Sequence, residues 1–198
     1  MEEGEGKIRS FVAVDLAPAV AARVRDFLAT CRALTGDVRW VRAEGLHVTL
    51  KFLGWTPADI VERVRDAVAA CARGTGPLPA RVRGLGGFPS LHRARVLWVG
   101  LEAPGLAELA GAIDHAVAPL GVEPERRPFA GHITVGRVGG TRGWHRVEAL
   151  FDAHRDDVFG DCCFEAVTIY RSTLRPDGAV YTPLWQIPLS GQREGAIA

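Results

Sequence analysis

The chain has 198 residues, of which 47% are hydrophobic and 24% charged, with a formal net charge of +1 at pH 7. This length suits one large domain or two small lobes sharing a core, and the near-neutral charge excludes a general polyanion-coating surface, so contact with nucleic acid is expected to be local, at an end or a single phosphate. No apolar run approaches the length of a membrane span, the acidic N-terminus lacks a signal peptide's n- and h-regions, and a cytoplasmic monomer is expected. The cations are 22 Arg and two Lys, Lys7 and Lys51. The four Cys (Cys31, Cys71, Cys162 and Cys163) form no Cys-x-x-Cys pair and read as reduced structural residues without a zinc site.

In chain order, Phe11–Leu16 reads as a buried strand, and Pro18 opens a helix carrying Val20, Val24, Phe27, Leu28, Cys31 and Leu34 that Gly36 closes. Val38–Arg42 is a short strand. His47–Leu53 is the next, ended by Gly54, and Thr56-Pro57 starts a second helix with Ile60, Val64, Ala67, Val68 and Cys71 inward. Ala80–Leu85 leads to a Gly-rich turn over Gly84–Pro89. Arg95–Leu101 is a strand, and a helix follows from about Pro104 to Leu120. Phe129–Val138 is an apolar strand-like run, Trp144–His154 a helix, and Phe164–Leu174 and Tyr181–Leu189 two strands joined by the turn Arg175-Pro-Asp-Gly178. Residues 1–6 and 191–198 are expected to be disordered. The order is mixed α+β, with antiparallel sheets and helices packed outside.

One tetrapeptide pattern occurs twice, His47-Val48-Thr49-Leu50 and His132-Ile133-Thr134-Val135, with the histidines 85 residues apart. On a strand, His and Thr share one face while the apolar pair packs the other. Two such strands side by side would present two imidazoles and two hydroxyls to one small anion, a set suited to acid/base chemistry at a phosphate without a metal. Either imidazole could be the acid or the base. The spacing suggests one α/β unit used twice, with a cleft between two sheets. Lys51 shares the His47 face on a regular strand and would either neutralise a phosphate or lie solvated at the groove rim. Arg137, five residues after His132, falls on the wrong face unless a bulge intervenes, for which Gly136 is the candidate. Phe11, Phe52 and Phe129 could stack on a base, but core packing is the expected role. His92, His115, His145 and His154 lack the Thr partner and read as surface or structural residues.

Arg9–Leu16, Trp40–Gly54, Arg127–Arg137 and Tyr170–Leu174 with Gly178 and Tyr181 resemble segments of the bacterial and archaeal 2′-5′ RNA ligase-like proteins, also called RNA 2′,3′-cyclic phosphodiesterases, of the two-histidine phosphoesterase superfamily. Gly131 departs from the family, which more often has Pro there. The resemblance implies an α+β fold of two similar lobes, each an antiparallel sheet with helices outside, related by a pseudo-two-fold around a V-shaped groove. The whole chain, 1–198, would form this single bilobal domain, the first motif in the lobe with residues 18–75 and the second in the lobe with 103–155. It also implies hydrolysis of 2′,3′-cyclic phosphate ends to 2′-phosphomonoesters, with His47 as proton donor and His132 as acceptor, Thr49 and Thr134 on the phosphate, no cofactor, and reversible ATP-independent ligation as the reverse direction. Arg127, Tyr170 and Ser172 are groove residues by resemblance only. The competing expectations are a small cyclic nucleotide, an ADP-ribose cyclic phosphate or a 2′,5′-oligonucleotide as substrate, or an RNA-end-binding module without catalysis. An ATP-dependent ligase is disfavoured because no phosphate-binding Gly-rich loop with Lys is present, and a metallophosphatase because the carboxylates are scattered.

Overall fold

The computed structural model describes residues 6–34, 36–176 and 178–191. Thirteen strands and α-helices follow in order: β1 (Lys7–Asp15), α1 (Pro18–Arg32), β2 (Val38–Trp40), β3 (His47–Pro57), α2 (Ala58–Arg73), β4 (Leu78–Phe88), β5 (Val96–Glu102), α3 (Leu106–Val117), β6 (His132–Val138), α4 (Trp144–Ala153), β7 (Val158–Phe164), β8 (Ala166–Arg175) and β9 (Gly178–Pro188). Among the described residues no helix is long and apolar enough to cross a membrane.

The strands form one antiparallel sheet in the order β7-β4-β5-β6-β3-β1-β8-β9, with the short β2 on the free edge of β6. The order is symmetric about its middle. β6 mirrors β3, β5 mirrors β1 and β4 mirrors β8, so the pseudo-two-fold of a duplicated unit passes between the two motif strands. There the halves meet through one registered pair, Val48 with Ile133. The expected pair of sheets is thus a single sheet with a seam, and the groove opens along that seam.

The helices supply the outer layer through apolar faces at helical spacing, such as Val61, Val64, Val68 and Ala72 of α2. Each fully buried Val contributes about 1.5–3 kcal/mol relative to an exposed one. Two helices are exchanged between the halves: α1 leaves β1 to pack on β2 and β7, while α3 leaves β5 to pack on β3 and α2. Phe27 of α1 meets Phe151 and Phe159 at 5.7 and 5.8 Å between ring centroids, and Arg23 donates to the Phe159 carbonyl at 3.1 Å. The spatial lobes therefore interleave the contiguous spans 18–75 and 103–155.

Several local expectations are corrected. β3 does not stop at Gly54: it pairs with β1 as far as Pro57, and Gly54 adopts φ +68° within an irregular step of the strand. Gly84–Phe88 is not a turn but the continuation of β4: Leu85–Phe88 pair with β5, and the Gly84 and Leu85 amides donate to the Asp157 and Arg155 carbonyls just before β7. A Cβ at Gly86 would collide with the Trp98 ring, so the glycine there makes room for an indole lying across the strand. The 158–163 segment is a strand of its own, β7, whose Gly160 and Asp161 obscure the apolar alternation. Of the termini expected to be disordered, positions 1–5 and 192–198 lie outside the described residues. Gly6 and Gly191 are bonded into the fold, to Ala58 at 3.1 Å and Thr75 at 3.0 Å. Asp177, in the expected hairpin turn, also lies outside the described residues. All four cysteines are free thiols, and burial pushes the Cys31 thiol up to about 12, far from a nucleophile's range.

Candidate active site

The motif strands place His47, Thr49, His132 and Thr134 on one cleft of about 250 Å³, together with Arg9, Phe11, Val41, Phe52, Arg137 and Tyr181. The antiparallel pairing of Val48 with Ile133 sets His47 opposite Thr134 and Thr49 opposite His132. The two His-Thr pairs thus lie crosswise, which is what a two-fold through the seam requires. Among the described residues no carboxylate lines this cleft, while two guanidinium groups do, so its walls favour an anion.

Both histidines are held by the same local device. The Nδ1–H of His47 donates to the Gly45 carbonyl at 2.8 Å, and that of His132 to the Ala130 carbonyl at 2.7 Å. A carbonyl can only accept, so Nδ1 carries the proton and Nε2 is the nitrogen left for chemistry. His47 Nε2 lies 3.1 Å from the Thr49 hydroxyl. Aromatic rings fix both imidazoles. Phe11 stacks on His47 at 4.7 Å, Tyr181 meets it edge-on at 5.1 Å, and Phe88 meets His132 edge-on at 5.0 Å. Burial among these rings holds the His47 pKa below the usual 6.5. The Gly45 hydrogen bond and the Asp15 charge oppose that shift, and the neighbouring His132 adds to it.

A bulge at the fourth motif residue decides the rest of the site. In β3, Thr49 pairs with Ala13 and Lys51 with Val12, so Leu50 is the extra residue. In β6, Thr134 pairs with Trp98 and Gly136 with Leu97, so Val135 is extra. Each bulge shifts the following residues to the other face. Lys51 is therefore neither a phosphate ligand nor a rim charge. It is buried, 1% exposed, with its ammonium 2.6 Å from Asp114, 3.5 Å from Glu125 and 2.5 Å from the Glu123 carbonyl. These bonds tie β3 to α3 and the 121–128 connector. Burial raises the Asp114 carboxyl, but the hydrogen bonds from Lys51 and the Glu125 amide outweigh it and hold the group below 3.8.

The same shift brings Arg137 into the cleft, through a bulge one residue before Gly136. It also turns Phe52 outward: Phe52 is 56% exposed on the groove, not packed in the core. Phe11 is buried against His47, and Phe129 packs on the core. The remaining candidates do not line the cleft. Tyr170 donates to Asp15 at 2.7 Å and stacks on Phe11 at 5.3 Å; burial and the Asp15 carboxylate raise its phenol pKa. Ser172 is buried and accepts a 2.6 Å bond from Arg9, which it aims into the cleft. Arg127 is exposed beside a neighbouring hollow shared with Phe52. Arg9 and Tyr181 are functional candidates that sequence reasoning missed. Arg9 alternates with Phe11 on β1, a usable signal; Tyr181 carries none beyond the hairpin. His92 and His154 make surface contacts to Glu148 at 3.0 Å and Asp157 at 2.7 Å.

Comparison with known proteins identifies the family. The model of the LigT-like phosphoesterase family matches the chain twice, over residues 14–98 and 99–181. The chain belongs to that family. The double match falls on the two units that the sheet order relates. A curated RNA 2′,3′-cyclic phosphodiesterase of Methanothermobacter thermautotrophicus is 33% identical over 90% of this chain and 97% of its own length. A crystal structure of a Thermus thermophilus protein superposes with a TM-score of 0.80 at 30% identity, covering 94% of this chain and 100% of that one. E. coli LigT in complex with NADP+ superposes with a TM-score of 0.71 at 25% identity, covering 94% and 99%.

Proposed function

We propose that this LigT-like phosphoesterase hydrolyses terminal 2′,3′-cyclic phosphates of RNA to 2′-phosphomonoesters, using His47 and His132 as acid and base. The observation that carries this reading is the convergence of two imidazoles, each with Nδ1 tied to a backbone carbonyl and Nε2 left for chemistry, and two threonine hydroxyls on one cleft that no carboxylate lines among the described residues. The names of relatives aligned over most of their length support the substrate class. NADP+, held by E. coli LigT, carries a 2′-phosphomonoester on adenosine, the chemical class of the product.

His132 Nε2 takes a proton from water as the water oxygen attacks phosphorus. The P–O3′ bond breaks in line, and His47 Nε2 gives its proton to O3′. The product keeps the phosphate on O2′, and proton exchange with solvent resets the pair. Charge growing on the non-bridging oxygens is met by Thr49 and Thr134 as donors and by the Arg137 and Arg9 guanidiniums. The aromatic wall that lowers the His47 pKa makes its imidazolium a stronger acid, and a bound phosphate anion favours the charged form that must be loaded. A 5′-hydroxyl in place of water would form a 2′-5′ linkage by the same steps without ATP.

The test is incubation with oligonucleotides and mononucleotides ending in 2′,3′-cyclic phosphate, in excess EDTA, with product position read by mass spectrometry and phosphatase sensitivity. A 2′-phosphate product is expected. A 3′-phosphate would reverse the leaving group, binding without turnover would favour an end-binding module, and loss restored by one metal would contradict acid/base catalysis.

A further inference from the structure

A second hollow of about 730 Å³ lies along the β2–β6 edge, lined by Asp37, Val38, Arg39, Arg137, Val138 and Gly139 among others. Arg137 is common to this hollow and to the catalytic cleft. Arg39 and Arg137 are direct register partners on antiparallel strands. Their side chains therefore rise from the same face, and both are exposed. Like charges placed opposite one another cost stability. A carboxylate that relieved this repulsion would make the pair structural. Among the described residues Asp37 is the one acid lining the hollow, and it is engaged elsewhere, by the Arg142 guanidinium at 2.8 Å and by the Arg142 amide at 3.2 Å. Among the described residues neither Arg39 nor Arg137 has an acidic partner. Two guanidinium groups without an acidic partner thus stand on one edge that is continuous with the cleft, an arrangement suited to an anion.

The chemistry of the substrate identifies the anion. In a nucleoside whose O2′ and O3′ are both taken by the cyclic phosphate, the remaining position for a covalently attached phosphate is O5′. Thr134 and Arg137 are three residues apart with one taken up by the bulge, about 7 Å of strand, a span that one nucleotide bridges. We infer that Arg39 and Arg137 form a subsite for the phosphate on O5′ of the terminal nucleotide, so that the enzyme selects chain ends, or 5′-phosphorylated nucleotides, over cyclic mononucleotides with a free 5′-hydroxyl. This deepens, and rests on, the function proposed above.

The experiment compares kcat/KM for three substrates: a nucleoside 2′,3′-cyclic phosphate with a 5′-hydroxyl, the same with a 5′-phosphate, and a dinucleotide ending in the cyclic phosphate. The second separates a monoester source of the anion from the diester of the third. Wild type is expected to favour the phosphorylated substrates by about tenfold, the scale of one charge-assisted hydrogen bond. Arg39→Ala should bring the ratio to about one, and Arg39→Lys should keep part of it. A wild-type ratio near one, or a ratio unchanged by Arg39→Ala, overturns the subsite. If none of the three is hydrolysed, the functional proposal fails, and calorimetric titration with adenosine 5′-monophosphate decides the subsite by itself. Weaker binding to Arg39→Ala and Arg39→Gln than to wild type supports it, and equal binding to all three overturns it.

Discussion

Phe52 and Arg137 occupy the same place in the two halves of the molecule. Each is the fifth residue after its motif histidine, and each is turned onto the groove by a bulge at the motif's fourth residue, Leu50 or Val135. The pseudo-two-fold thus gives one wall an aromatic ring and the other a guanidinium. In the proposed function this makes a symmetric scaffold directional, with one face offered for stacking and one for charge. Phe52→Ala is expected to raise KM about 5- to 100-fold for base-bearing substrates, with little change in salt dependence, since stacking on a base contributes about 1–3 kcal/mol. Arg137→Ala should lower kcat/KM and flatten its decline with salt. Steady-state kinetics at two ionic strengths separate the two, and identical salt responses would remove the assigned division of labour.

His47→Ala and His132→Ala are each expected to lower kcat about 10²- to 10⁴-fold with the thermal melt preserved. Because acid and base act in one step, the double variant should be little worse than the poorer single one. A single variant with near wild-type turnover would take that histidine out of the mechanism.

The lowered His47 pKa sets the pH dependence. In the proposed assignment His47 is the acid and must be protonated in the free enzyme, so kcat/KM should fall as pH rises through a value below 6.5. The alkaline limb of kcat should lie higher, because bound phosphate favours the imidazolium. Were His47 the base, its low pKa would instead extend activity toward acid. pH profiles of kcat and kcat/KM distinguish the assignments.

Stability is linked to the same group. A histidine whose folded pKa lies below its unfolded value contributes fully above the unfolded pKa. Its contribution is lost as pH falls from 6.5 toward the folded value. Melting temperature is therefore expected to drop over that window in wild type, and less in His47→Gln.

Lys51→Met should destabilise the fold by about 2–4 kcal/mol at pH 7, because it leaves the half-buried Asp114 without its cation. Asp114 is held below 3.8 in the wild type. Its contribution is present above that range and is lost as pH falls through the folded pKa. The variant should accordingly come closer to wild type in acid. Denaturant melts at pH 7 and at about pH 2, below the depressed carboxyl, test this, and an unchanged melt with a raised KM would return Lys51 to the substrate.

The paired tetrapeptides, the helical faces and the alternation of His with Thr were legible in the sequence because each depends on a residue's neighbours along the chain. The 3.6- and 2-residue periods are local properties of backbone geometry. The extra residue of a bulge is different: it is defined against a partner strand, β1 for Leu50 and β5 for Val135, and those partners are distant in sequence. Strand parity therefore sets Lys51 on the groove side, and residue type sets Phe52 in the core, whereas the structure buries Lys51 and exposes Phe52 on the groove. The exchange of α1 and α3 between halves, the Arg9–Ser172 bond and the arrival of Tyr181 beside His47 are likewise long-range contacts. The chain by itself determined which groups could do chemistry, through strand period and residue type. The tertiary structure decided which of them share a cleft, because sheet register and burial are set between segments rather than within them.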